Sequence, residues 1–418
     1  MVNIISNEPS VASRQNLLRS GFFGLGIGSP IPSVFAQTCR TMADQVLFNG
    51  EESHPERILV IIELAGGNDG LDTVIPYTND AYYKFRPTLS VRSKDVLRVD
   101  DTFGFHPSLV SMKRLYESGL LGVVHGCGYP NPSRSHFLSM EWWHTASPHV
   151  PQTTGWVGRL ADAAWSNAEP ETLVNIAAQQ SFAVRTKRHS PLVFYDPDEF
   201  TRAGDSLQAA SYAKLIQCCD SNNPTLRYLA DISRNAIACS SRVCDAVRDY
   251  STPTPYGATS LARDLRKIAA LIYAGFPTRV YYVSFNGFDT HAGQAGRRYY
   301  LLASLGEALY AFQQDLQRLG RASDISVIMF SEFGRRVEEN ASAGTDHGAA
   351  GPMFVMGPFV RAGFHGVHPS LTDLDENGDL KMTIDFRRVY ASVMTEWLGF
   401  NGSESVLQGK FKPLGLFR

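Results

Sequence analysis

Five short apolar runs punctuate the chain: RILVIIEL (Arg57 to Leu64), LLGVVHG (Leu120 to Gly126), RVYYVSF (Arg279 to Phe285), ISVIMFS (Ile325 to Ser331) and PMFVMG (Pro352 to Gly357). They are β-prone and lack strict apolar–polar alternation, the pattern of strands buried on both faces. Between them lie stretches with helical periodicity, HPSLVSMKRLYESG, SLARDLRKIAALIYAG and RRYYLLASLGEALYAFQQDLQRLG, each closing at a glycine, as helices often do. Strands alternating with helices predict an α/β fold, a mostly parallel central sheet with helices on both faces. From about Trp156 to Tyr256 the strand signal thins and polar, helical sequence takes over. This predicts a helical insertion over about 156–256 inside one domain spanning 57–418.

The chain has 418 residues, 44% of them hydrophobic, enough for a sizeable core. Its 39 Lys and Arg nearly cancel its 41 Asp and Glu, so no global field recruits nucleic acid or an anionic membrane. Ahead of the domain, Arg14 and Arg19 precede an apolar, Gly-rich run and the small-residue pattern Val34-Phe35-Ala36. Together they read as an export signal over 1–36 with a linker at 37–56, and predict a periplasmic or extracellular protein. SRQNLLRSGF is similar to a twin-arginine signal, with Gln15 at the place of the second arginine. Pro30 and Pro32 interrupt the apolar run, which is too short for a permanent membrane span. The six cysteines show no C-x-x-C spacing, which argues against a thiolate zinc site; the group from Cys218 to Cys244 leaves room for disulfides.

In open parallel sheets ligands bind beyond the carboxyl ends of the strands, and the polar residues fall there. LVIIELAGGNDG delivers Asp69, VVHGCGYPNPSRSHF delivers Ser133, Arg134, Ser135 and His136, YYVSFNGFDTH delivers Asp289 and His291, and VIMFSEFGR delivers Glu332. GTDHG, just before the final run, adds Asp346 and His347. Singly, each has an ordinary reading as a turn or helix cap. Together, several carboxylates at one sheet edge with two imidazoles would cost several kcal/mol unless a cation neutralised them. Aspartate oxygen and histidine nitrogen suit zinc and also manganese or iron. Arg134, Arg335 and Arg336 could grip an anionic substrate through the planar guanidinium fork, with surface pairing to Glu338 or Glu339 as the plain alternative for the last two. His144, in MEWWHTA, reads as a packing residue.

The ordered series LAGGNDGLDTVIPY, FHPSLVSMKRLYESGLLGVVHGCGYPNPSRSHFLSMEWW, TGWVGRLAD, GFDTHAGQ, SEFGRRVEENASAGTDHGAAGPMFVMG and DFRRVYASVMTEWLG resembles the exported bacterial domain-of-unknown-function family fifteen-oh-one. That family belongs to the alkaline phosphatase and sulfatase superfamily, and the resemblance runs from about Arg57 to Leu398. It implies an alkaline phosphatase-like fold and a centre of one or two divalent ions, zinc or manganese, with Asp69, Asp289, His291, Glu332, Asp346 and His347 as candidate ligands. Ser133 or Ser135 would be the nucleophile, with His136 beside it and Arg134 and Arg335 on the substrate. Phe333 stands where the superfamily carries a second-site histidine, which leaves one metal subsite short of a ligand. The implied activity is hydrolysis of phosphate or sulfate esters, by serine or metal-bound water, on a small anionic ester or a sulfated or phosphorylated glycan. The alternative is a noncatalytic exported binding protein on the same scaffold, with Trp142 and Trp143 as a sugar platform.

Overall fold

Each of the five apolar runs forms a strand of one sheet. The computed structural model describes residues 57–165, 170–197 and 239–418; the predicted export signal, the linker and Cys218 and Cys219 lie outside them. In chain order the strands are β1 (Ile58–Ala65), β2 (Val74–Ile75), β3 (Leu97–Arg98), β4 (Gly104–Phe105), β5 (Leu121–Gly128), β6 (Leu173–Ile176), β7 (Leu192–Phe194), β8 (Val280–Asn286), β9 (Ile325–Phe330), β10 (Gly351–Met356), β11 (Gly363–His365) and β12 (Ile384–Asp385). Among the described residues, nine form the main sheet in the order β11-β5-β10-β9-β1-β8-β6-β7, with β12 beside the end of β5. Strands β2, β4 and β3 make a small antiparallel sheet of their own.

Every pairing in the main sheet is parallel except those of β10, which runs antiparallel to both β5 and β9. This one reversal positions the site. The carboxyl ends of β1, β5, β8 and β9 reach the same edge at which β10 begins, so residues leaving four strands meet residues entering a fifth.

Alternation along β1 explains why both faces are covered. Ile58, Val60, Ile62 and Leu64 point into one apolar layer with the helices Ser260–Tyr273 and Gln294–Arg318, whereas Leu59 and Ile61 point into the other with the helices Trp156–Ala164 and Arg387–Ser392. Each such side chain contributes about 1.5–3 kcal/mol on burial, which fixes the strand and hence its carboxyl end. Among the described residues no helix is long and apolar enough to cross a membrane.

One expectation needs correction. The stretch read as a helical insertion carries β6 and β7, which extend the main sheet from the free side of β8. Strands of 4 and 3 residues are too short to show a period, so the surrounding polar sequence masked them.

Candidate metal centre

The site is built on the glycine turn that ends β1. Gly66 and Gly67 have φ of +120° and +75°, and a Cβ on Gly66 would lie 2.4 Å from the Asp289 backbone nitrogen. Only glycine allows so close an approach. The two freed N–H groups donate to the Glu332 carboxylate, Gly66 to Oε1 at 2.9 Å and Gly67 to Oε2 at 3.1 Å, and Ser331 Oγ adds a bond to Oε2 at 2.9 Å. Glu332 is 2% exposed, and its remaining capacity goes to His136 Nδ1 at 2.8 Å. That bond turns His136 Nε2 outward, 3.5 Å from Asp289 Oδ2 and without a hydrogen-bond partner.

Two further imidazoles are held in the same manner. His347 Nδ1 donates to the Arg134 carbonyl at 2.8 Å, and His291 Nδ1 donates to Asp346 Oδ1 at 3.1 Å. Their Nε2 atoms lie 3.2 and 3.1 Å from Asp289 Oδ1 and only 2.8 Å from each other. A carbonyl cannot donate, and neither can an ionised carboxylate, so both Nδ1 atoms carry the ring hydrogen. Neutral rings would then face lone pair to lone pair, a contact that a proton or a metal cation relieves. A carboxylate or carbonyl behind each ring, with the far nitrogen aimed at a common point, is the usual support of a metal-bound histidine. The ligand atoms of His136, Asp289 and His347 all lie within 4.8 Å of one another.

The electrostatics agree. Burial pushes the Asp289 carboxyl up, but the Arg335 hydrogen bond and charge, with the neighbouring His347 and His291, outweigh it and hold the group at about 2. Burial pushes His347 below the ordinary imidazole value, which keeps its lone pair available at neutral pH. The Glu332 hydrogen bond raises His136, against burial and with help from the Glu332 and Asp289 charges. Phe333 closes the floor, its ring centroid 4.9 Å from that of His136 and 4.8 Å from that of His347.

Several expected ligands and clamps stand elsewhere or behind the cluster. Asp69 is 5% exposed and committed to Arg86 at 2.8 Å and Gln294 at 2.7 Å, so its expected place as a metal ligand is corrected to a buried charge network. Glu332 and Asp346, also expected as ligands, instead orient His136 and His291. Arg335, expected on the substrate, is 1% exposed and donates to the carbonyls of Gly66, Gly67, Phe288 and Thr345 and to Asp289. It ties the β1 turn to the cluster and has nothing left to offer a substrate. Ser133 Oγ accepts the Ser135 N–H at 3.1 Å, and among the described residues neither serine hydroxyl bonds to the cluster. Arg134 is exposed, with its head against Asn377 and Asp379. Trp143 is 2% exposed and stacked between Phe330 and Phe386, which removes it from any sugar platform.

Sequence reasoning missed a second polar group beneath the site. Glu63, buried in β1, accepts from Tyr282 Oη and from His144 Nε2 at 2.7 Å, so His144 is an acid-paired group rather than a packing residue. Burial pushes Glu63 up, but the His144 charge and hydrogen bonds outweigh it and hold the carboxyl low. Its signal was available, a single acid in an otherwise apolar strand. Glu63 and His144 line an open cleft of about 520 Å³ that also reaches His136, Asp289 and Phe137; among the described residues, no Lys or Arg lines it.

No curated protein matches the chain. Among solved structures it is similar to a protein in the alkaline phosphatase superfamily from Vibrio parahaemolyticus, at 10% identity over 79% of this chain and 69% of that one, with a TM-score of 0.35. It is also similar to the lipoteichoic acid synthase LtaP from Listeria monocytogenes, at 12% identity, 74% and 68% coverage and a TM-score of 0.35. The C-terminal periplasmic domain of EcEptC from Escherichia coli shares 9% identity, with 86% and 88% coverage and a TM-score of 0.36. Likeness of this extent assigns no activity, ligand or partner to the chain. The model of the family described as "Protein of unknown function (DUF1501)" matches residues 56–411, so the chain belongs to the DUF1501 family.

Proposed function

We propose that the protein is a metal-dependent hydrolase of phosphate or sulfate esters in which His136, Asp289, His291 and His347 would hold a divalent cation. The observation that carries this reading is the 2.8 Å approach of the His291 and His347 Nε2 atoms on rings whose Nδ1 atoms are already committed as donors. Three imidazoles and one carboxylate suit zinc, and also manganese or iron. When bound, the ion would supply Lewis acidity to an ester oxygen or to water.

The chain's own residues do the positioning. Glu332, the Arg134 carbonyl and Asp346 fix the three rings, and Arg335 keeps Asp289 ionised and aimed inward. Water is the favoured nucleophile, because the Ser133 hydroxyl is engaged by its own loop and neither serine is bonded to the cluster. The cleft beside His136 gives room for the alcohol part of an ester. A binding protein on the same scaffold is the second reading, favoured by Phe333, which stands where a second metal site would take an imidazole.

Elemental mass spectrometry of the purified chain, beside Asp289→Ala and His347→Ala, tests the proposal together with a panel of phosphate and sulfate esters. Near-stoichiometric metal, lost in both variants, with turnover abolished by a chelator, is the expected result. Folded wild-type protein without metal sinks the hydrolase reading; stoichiometric metal with no turnover on any ester favours the binding protein.

A further inference from the structure

On the His347 side of the cluster, two arginines bracket one buried acid. Asp379 is 1% exposed, at the end of a hairpin closed by the Leu374–Leu380 bridge. Arg336 Nε lies 3.4 Å from its Oδ1 and Arg134 Nε 3.7 Å from its Oδ2, close enough for Coulomb attraction but longer than a good hydrogen bond. Asp379 Oδ1 and Arg336 Nε are both buried atoms without a hydrogen-bond partner. Buried donors are normally satisfied, so a free guanidinium N–H facing a poorly bonded carboxylate marks a position built for a different acceptor.

The arginine heads are nonetheless held in place. Arg134 Nη2 donates to Asn377 Oδ1 at 3.2 Å and Arg336 Nη2 to the Asn377 carbonyl at 3.0 Å. Both residues are joined to the metal cluster through their backbones, Arg134 by its carbonyl to His347 and Arg336 by its N–H to the Asp346 carbonyl at 3.1 Å. About a third of each arginine side chain is exposed, 38% and 35%, while Arg336 Nε itself is covered, so an anion reaches that donor only as the Asp379 carboxylate gives way.

We propose that Arg134 and Arg336 form a binding site for a tetrahedral oxyanion, phosphate or sulfate, and that Asp379 occupies it as an internal substitute when no anion is present. A tetrahedral dianion offers acceptors to two forks at once, which one planar carboxylate held at this distance does not. Arg134 and Arg336 bring two guanidinium groups to this side, with the Asp375 carboxylate also near Asp379, whereas among the described residues no Lys or Arg lines the cleft on the His136 side. Burial, together with the Asp375 charge, pushes the Asp379 carboxyl up to about 6 even with both arginines beside it. The inference deepens the proposed ester hydrolysis by naming how the anion is held, but anion binding here does not need the metal.

Calorimetric titration with inorganic phosphate, and separately with sulfate, on metal-loaded and on chelator-treated protein tests it. Asp379→Asn keeps the shape and removes the competing charge, so it should bind the preferred anion about tenfold more tightly, equivalent to about 1.4 kcal/mol. Arg134→Gln and Arg336→Gln should each weaken binding by a similar factor. A merely structural Asp379 would not tighten anything on removal, so unchanged or weaker binding by a folded Asp379→Asn overturns the proposal. If that variant does not fold, the exposed Arg134→Gln decides alone: wild-type affinity in it overturns the site. Binding that disappears on chelation and survives both arginine substitutions assigns the anion to the metal cluster and likewise overturns it. Binding that persists after chelation and fails in the arginine variants supports the site even if the protein holds no metal. Which anion binds more tightly identifies the ester class.

Discussion

Asp289 and Asp69 leave neighbouring strands of one sheet, β8 and β1, through glycine-containing polar loops, yet their surroundings are opposite. Asp69, with Asp72 beside it, is enclosed by Arg86, Arg298 and Gln294, and each of these residues is at most 7% exposed. Asp289 is 47% exposed and faces three imidazoles. A guanidinium offers only donors and never gives up its charge, so the two acids of the Asp69 group already face two fixed cations. A neutral imidazole offers a lone pair, so the Asp289 group is open to one. The neutralising partner, not the carboxylate, separates the closed group from the candidate site.

The largest expected effect breaks the closed group. Arg86→Leu leaves Asp69 and Asp72 short of a counter-charge and should cost about 3–5 kcal/mol in urea unfolding, while the folded fraction keeps its metal. The comparison fails if this variant folds normally and loses metal instead. Asp289→Ala should do the reverse. Metal content falls to background, and the metal-free protein loses no more than about 1–2 kcal/mol, because Arg335 keeps four carbonyl acceptors. Glu332→Gln is subtler, since it removes the charge behind His136 and replaces one of the two accepting oxygens with a donor; metal affinity measured by competition with a chelator should fall about 10- to 100-fold. No change would make Glu332 a packing residue.

A buried imidazole without an acid sharpens the same contrast. His125 in β5 is 3% exposed among Phe103, Phe364 and His368, and burial, with the nearby His368 and His365, pulls it down to about 3. Above the unfolded value, about 6.5, it is neutral in both states and contributes nothing to the pH dependence. Below that the unfolded chain takes up a proton that the folded chain refuses, so stability falls as pH falls toward 3. By pH 5 the loss from this residue should be about 1–2 kcal/mol. Thermal midpoints of wild type and His125→Phe between pH 7 and pH 5 measure it; parallel curves would show that His125 is not the cause.

The parts of the site legible in the chain were those that depend on order. Asp289 with His291, and Asp346 with His347, follow or precede apolar runs, and strand direction alone brings them to one edge. The roles were less legible. Glu332 and Asp69 are acids at equivalent strand ends, and only their partners, His136 in one case and Arg86 in the other, distinguish them. Arg335 and Arg336 are adjacent in sequence, yet one is sealed behind the cluster and the other reaches Asp379, because successive side chains in extended backbone point to opposite sides. Asp379 carried no signal, since its meaning depends on arginines 245 and 43 residues distant, by subtraction of 134 and 336 from 379.

The apolar runs by themselves determined five strands of the main sheet, their burial on both faces and the edge at which polar residues collect, because each of these follows from a pattern within a few residues of chain. Tertiary structure alone decided which acids are neutralised by arginine, which support an imidazole and which nitrogens converge. Those outcomes rest on contacts between residues as far apart as Glu332 and Gly66, whose distance in space no local pattern encodes.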